Sequence, residues 1–316
     1  MSLAAAERPN WENFSKVFST GEEQKEGISP MFLIDATHDL GMSKTGQSEL
    51  ITEKITQPHR LPRVSRARLI NMLDKSMSAG SSTIISGRAG AGKTALAVDF
   101  AHQCGRSVAW YKVDAPDADP RVFFHYLIRT IQAHRPGFGS DSLMALVEAP
   151  ELDLPERIVW LTEAFVYDLA EGNPSPLLIV IEDLHLVSDA NWLMLFFGRL
   201  LPLLPSEVHV IITSRSLPPA PLWRMRSKQS LVVIDESALA FTRSEAIALF
   251  ESYGLSNGQA SICLDHTHGR AAALDDSAAF LQRSQRSERS ERSELSERSE
   301  TTTVRAVERS DARCVF

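Results

Sequence analysis

Residues Gly87-Arg88-Ala89-Gly90-Ala91-Gly92-Lys93-Thr94 constrain this chain more than any other stretch. An apolar run, Thr83-Ile84-Ile85-Ser86, leads into them, and a helical pattern, Ala95-Leu96-Ala97-Val98-Asp99-Phe100-Ala101, leads out. Strand, glycine-rich loop and helix in that order, at the spacing G-x-x-x-x-G-K-[ST], describe a loop that wraps phosphates. Three glycines and two alanines leave the main chain bare, so successive N–H groups turn toward an anion at the positive end of the following helix. On this reading Lys93 lies on the β- and γ-phosphates, and the Thr94 hydroxyl joins the coordination of Mg²⁺.

A second landmark lies about ninety residues on. Leu177-Leu178-Ile179-Val180-Ile181 is a continuous aliphatic run, as in a strand buried on both faces, and it ends in Glu182-Asp183. Acids at the end of such a strand hold Mg²⁺ or position the attacking water. Glu182 is assigned to the metal and Asp183 to the water, with the two roles exchangeable because only geometry separates them. A third apolar run, His209 to Ile212, exits through Thr213-Ser214-Arg215, and Arg215 is the candidate sensor of a terminal phosphate.

Between these landmarks strands and helices alternate. Ser107 to Asp114 reads as a strand; Asp119 and Pro120 cap a helix carrying Phe123, Phe124, Leu127, Ile128 and Ile131; Asp153-x-x-Glu156 opens another with Ile158, Leu161, Phe165 and Leu169. A helical run from Ala190 to Leu204 follows, and a last strand runs from Leu231. The order implies an α/β fold, a mainly parallel sheet flanked by helices. Upstream, a proline-marked basic segment enters a helix with Leu69, Ile70, Leu73 and Met77; Arg66, at its start, is assigned to the nucleotide, with Arg63 as the other candidate.

The divisions expected are a loosely ordered leader over 1–48, a P-loop domain over 49–235, a helical lid over 236–281 and a low-complexity tail over 282–316. The lid opens with a capping box, Thr242-x-x-Glu245, and Gly254 closes that helix. The tail is an Arg-Ser-Glu repeat with too few apolar residues to offset chain entropy.

Composition removes several classes of function. A net charge of −7 gives no footprint for direct DNA binding by the chain as a whole. Its three cysteines, Cys104, Cys263 and Cys314, are too far apart for a disulfide framework, so the cytoplasm is the expected compartment. The most apolar helical run is broken by Gly198, Arg199 and Pro202, and no membrane span is expected. Cys263, His266 and His268 have no fourth ligand at zinc spacing and read as a helix end.

From about Leu50 to Leu281 the ordered series of motifs resembles the ATPase module of the large LuxR-type transcriptional activators, within the STAND class of signal-transduction ATPases. The series runs through Arg66 to Leu69, the loop at Gly87 to Thr94, Val108-Ala109-Trp110, Glu182-Asp183-Leu184-His185, Thr213-Ser214-Arg215 and Leu239-x-Phe241-Thr242. The resemblance implies ATP held by the P-loop lysine and the strand-end acids, an ADP-bound resting form, and nucleotide-dependent self-association. Two departures stand out: Glu182 where the family often has Asp, and Arg270 after Gly269 where it usually has Trp. The family's winged-helix continuation, sensor repeats and helix-turn-helix have no counterpart in these 316 residues, so inducer sensing and DNA binding are not carried over.

The expectation is therefore a Mg²⁺-ATP-binding switch with slow hydrolysis. An AAA-type ring ATPase, a small-molecule kinase and an inactive fragment are the alternatives.

Overall fold

The computed structural model describes residues 51–80, 82–171, 175–216 and 231–287. The leader, the proline-marked segment from Pro218 to Arg226, and the tail beyond residue 287 with Cys314 lie outside the described residues.

Five strands make one sheet: β1 (Ser82–Ser86), β2 (Ser107–Lys112), β3 (Leu177–Glu182), β4 (Val208–Ser214) and β5 (Leu231–Ile234), in the order β2-β3-β4-β1-β5. All four pairings are parallel. Because β3 and β4 are covered on both faces, every residue in each is buried, which is why they read as unbroken apolar runs rather than alternating ones. The order brings β3 and β1 to either side of β4, so the acids ending β3 and the loop leaving β1 open at the same edge.

Helices cover both faces: α1 (Ala67–Ser78), α2 (Lys93–Gln103), α3 (Pro120–Gln132), α4 (Asp141–Val147), α5 (Pro155–Ala170) and α6 (Asn191–Leu203). Alternation along the strands divides the core in two. Ala109, Tyr111, Ile179 and Ile181 face α3 to α6, where Phe123, Phe124, Phe165 and Phe196 pack edge to face at centroid distances such as 4.8 Å for Phe124 and Phe196. Trp110, Leu178 and Val180 face α1 and α2 with Leu69, Leu73, Leu96 and Phe100.

Asp119 caps α3 as the sequence predicts, its side chain accepting from Arg121 N. Asp153 does not cap α5: the residue before Pro155 is Leu154, in extended backbone, and no side chain caps that end. The proline, which needs no N–H partner, starts the helix without it. α4, absent from the sequence reading, is capped by Ser140 and is only two turns long, too short for periodicity to reveal.

The C-terminal residues form α7 (Glu236–Leu239), α8 (Arg243–Ser252), α9 (Asn257–Thr267) and α10 over residues 271–287, with a core of Leu249, Phe250, Tyr253 and Leu274. The Thr242 to Glu245 capping box is present. α10 runs past Leu281 to residue 287, into the Arg-Ser repeat; just before that repeat, Gln282 Nε2 donates to Tyr253 O at 2.8 Å.

One buried group escaped the sequence reading. Lys54, on a 3-10 turn at Thr52–Ile55, is 6% exposed and bonds Asp114 at 2.7 Å and Asp117 at 2.6 Å, with its ammonium 4.1 Å from the Tyr126 ring centroid. Burial works against its charge, and the bonds to the two aspartates hold its pKa above the ordinary value. The clip fastens the entering chain to the end of β2.

Candidate nucleotide site

The loop between β1 and α2 is folded by its glycines. Gly90 and Gly92 have φ of +77° and +90°, left-handed values that a side chain disfavours. Space forbids side chains there as well: a Cβ on Gly90 would lie 2.9 Å from Ala272 Cβ, and one on Gly92 would lie 3.0 Å from Ala271 Cβ. The loop begins pinned to β4, with Gly87 N donating to Ser214 O at 3.2 Å. Arg88 at its rim is tied to Glu236, through its main-chain N–H at 3.1 Å and its Nε at 2.7 Å. Ala89 and Ala91 fill the bend between, and Ala91 N donates to Arg88 O at 3.2 Å.

Lys93 and Thr94 open α2 at the sheet's mouth. Lys93 is 7% exposed, and its Nζ donates to Gly87 O at 2.6 Å and Arg88 O at 3.1 Å, folded back over the loop. Burial lowers its pKa, against which the Asp183 carboxylate is the largest restoring influence. The Thr94 hydroxyl donates to Glu182 Oε1. Glu182, 4% exposed, also accepts from Trp110 Nε1 at 3.2 Å through its other oxygen.

The two adjacent acids are thus set apart by geometry. Glu182 is the last residue of β3 and shares a face with Leu178 and Val180, the face covered by α2. Asp183 lies beyond the strand in left-handed backbone, φ 60° and ψ 33°, so its side chain leaves that face. Its N–H donates to Thr213 Oγ1 at 3.1 Å, and its Oδ1 lies 3.8 Å from His185 Nδ1, beyond hydrogen-bond range. His185 is held below the ordinary imidazole pKa by burial, partly offset by Asp183; both its ring nitrogens are buried, with no hydrogen-bond partner among the described residues. Arg215, exposed just past β4, is near enough that its charge lowers the pKa of both Lys93 and His185.

Arg66 stands apart from this group. Its guanidinium donates to Leu239 O at 2.7 Å and to Gly92 O at 3.2 Å, 4.9 Å from the Phe241 ring centroid. It therefore joins the start of α1 to the P-loop's carbonyl side and to the C-terminal helices. Those helices also reach the loop directly: Arg270 Nη2 donates to Ala89 O at 2.7 Å, and Ala272 N to Gly90 O at 2.9 Å. Nothing in the sequence pointed to either contact, because both depend on where α10 begins.

Beside α2 and α10 lies a cavity of about 250 Å³. Pro62, Val64, Leu96, Phe241 and Leu249 supply apolar wall, and Asp99 and Asp275 supply carboxylates. Arg63 and Arg66 also line it.

Glu182 and Thr94 present carboxylate and hydroxyl oxygens, the hard donors a small divalent cation takes, and two such ligands suit an ion that completes its shell with phosphates and water. Among the described residues no cluster of three or more His, Cys, Asp and Glu is arranged to hold a metal, Cys263, His266 and His268 included. Nor, among them, is any helix long and apolar enough to cross a membrane.

The chain is similar to several known proteins. Residues 64–213 match the AAA ATPase domain family. The HTH-type transcriptional regulator MalT of Yersinia enterocolitica is 32% identical over 231 residues, 71% of this chain and 24% of the regulator. MalT of Cronobacter sakazakii is 32% identical over 232 residues, with the same coverage. The chain spans about a quarter of the length of these relatives. A Walker-type ATPase of Pyrococcus abyssi, 12% identical, aligns over 81% of this chain and 80% of its own with a TM-score of 0.45. The parallel sheet, glycine-rich loop and strand-end acids make a P-loop fold, and its residues 64–213 are similar to the AAA ATPase domain family and to a stretch of the MalT regulators.

Proposed function

We propose that this domain binds ATP with Mg²⁺, hydrolyses it slowly, and uses the bound nucleotide to hold or release its C-terminal helices as a signal-transduction switch. The observation that carries the reading is the double use of one loop. Its residues 87–94 open α2 beside Glu182 and Asp183, while the carbonyls of Ala89 and Gly90 accept from Arg270 and Ala272. A loop that changes shape around a phosphate therefore moves the seat of α10, which is the lid of this switch.

In this reading Gly87 to Gly92 cradle the phosphates through main-chain N–H groups, and Lys93 leaves its two carbonyls for the β- and γ-phosphate oxygens. Thr94 donates its hydroxyl hydrogen bond to Glu182, which leaves the hydroxyl lone pairs facing the place a cation would take. Mg²⁺, when bound, neutralises phosphate charge. Asp183, outside the buried strand and facing Lys93, orients the attacking water, and Arg215 senses the terminal phosphate. The neighbouring cavity takes the nucleoside, its apolar walls against the base; Arg66 serves as one wall, its guanidinium already committed to carbonyls. Slow turnover, an ADP-bound resting form and nucleotide-dependent self-association rest on the resemblance to STAND ATPases, and a cytoplasmic location on the widely spaced cysteines.

Calorimetric titration with ATP, ADP and GTP, with and without Mg²⁺, tests the binding step; heats that show no nucleotide binding overturn it. Hydrogen exchange at the start of α10 tests the switch. Protection there should differ between the ADP and ATP complexes, and equal protection overturns the lid's role.

A further inference from the structure

We infer that Trp110 is a positioning residue for the metal-side carboxylate. The inference rests on the reading of Glu182 as that carboxylate and adds a residue to it.

Parallel pairing places Trp110 opposite Val180 and Lys112 opposite Glu182. Side chains two residues apart share a face, so Trp110 and Glu182 are diagonal neighbours on the side covered by α2, within reach of an aromatic ring. The indole is 1% exposed and has one donor and no acceptor. That donor meets Glu182 Oε2 at 3.2 Å, while Thr94 holds Oε1. Both carboxylate oxygens are thereby fixed from opposite sides, one by the residue that shares the cation and one by a residue that never touches it.

The arrangement answers a problem the sequence poses. Glutamate at the end of β3 has one more rotatable bond than aspartate, and a longer, freer arm presents its oxygen less definitely. The indole bond removes that freedom, leaving Oε1 toward Thr94 and the cation. A partner of this kind acts on the metal only through the ligand it orients, and removing such partners typically weakens metal binding about 10- to 100-fold.

The test is calorimetry of ADP binding, with Mg²⁺ and in EDTA, on wild type, Trp110→Phe, Glu182→Asp and the double variant. Phe keeps an apolar ring in the core and removes only the donor. Trp110→Phe should weaken Mg²⁺-ADP binding about tenfold and leave ADP binding in EDTA unchanged. In the Glu182→Asp background, whose shorter arm does not reach the indole, it should add nothing.

Wild-type affinity for Mg²⁺-ADP in Trp110→Phe overturns the inference alone. So does an equal loss with and without metal, which marks Trp110 as packing only. ADP binding by wild type that ignores Mg²⁺ overturns the metal reading of Glu182 itself. If Trp110→Phe does not fold, the indole N–H signals of the wild type serve instead. One of the five tryptophans should shift when Mg²⁺ joins the ADP complex, and that shift should vanish in Glu182→Asp; indole signals that all ignore the metal overturn the inference.

Discussion

At the scale of single residues, the proposal distributes charge over a few groups whose removal should have separable effects. Lys93→Ala takes away the ammonium facing the phosphates, and it removes the donor now held by the carbonyls of buried Gly87 and exposed Arg88 without touching the apolar core. Nucleotide binding should fall below detection in calorimetry while the circular dichroism spectrum stays that of the wild type; an unchanged affinity refutes the phosphate role. Asp183→Asn keeps the shape and removes the charge of an acid that sits off the buried strand. ATP should bind near its normal affinity and phosphate release should stop, as read by a single-turnover assay. Loss of binding instead would mean that Asp183, not Glu182, carries the metal.

At the scale of elements, the helices are held by their ends as much as by their faces. α8 begins with a reciprocal pair, Glu245 N donating to Thr242 Oγ1 at 3.3 Å and Thr242 N to Glu245 Oε2 at 2.9 Å. Glu245 also meets Arg68 of α1 at 3.4 Å, so the cap lies where the C-terminal helices touch the sheet domain. Thr242→Ala should cost about 1 kcal/mol in chemical denaturation, the usual worth of such a cap. A loss indistinguishable from zero would show that Arg68 and the helix packing suffice.

At the scale of the whole molecule, acid stability should be governed in part by His209. It is 3% exposed on β4, 3.5 Å from Thr83 Oγ1, and burial lowers its pKa from 6.5 to about 4. The unfolded chain binds this proton first, so the stabilisation is complete above the ordinary histidine value and is lost as pH falls from 6.5 toward 4. The shift corresponds to about 3 kcal/mol, to order of magnitude. Urea midpoints should fall across that window, and His209→Gln should flatten the slope. An identical slope in the variant would assign the acid sensitivity to other groups.

Much of this molecule is written locally. Glycine-lysine-threonine after a short apolar strand, aliphatic runs too uniform to be half-exposed, and Asp-Pro or Thr-x-x-Glu at helix starts each depend on neighbours a few residues away. They identified the strands, most helices and the loop without coordinates. α4 was missed because two turns carry too little pattern, and Asp153 was misread as a cap because Pro155 starts α5 alone. The seating of Lys54 between Asp114 and Asp117 was invisible because its partners are sixty residues away.

What the chain determined by itself is the inventory: a loop able to fold around an anion, two adjacent acids ending a buried strand, and capped helices to flank a parallel sheet. Which acid faces Thr94, which donor steadies it, and that Arg66 and α10 grip the loop's carbonyls were decided only in three dimensions. The reason is geometric. Strand register and the parity of side chains choose between neighbouring residues that composition and spacing treat alike, and contacts between distant segments exist only once the sheet has set them side by side.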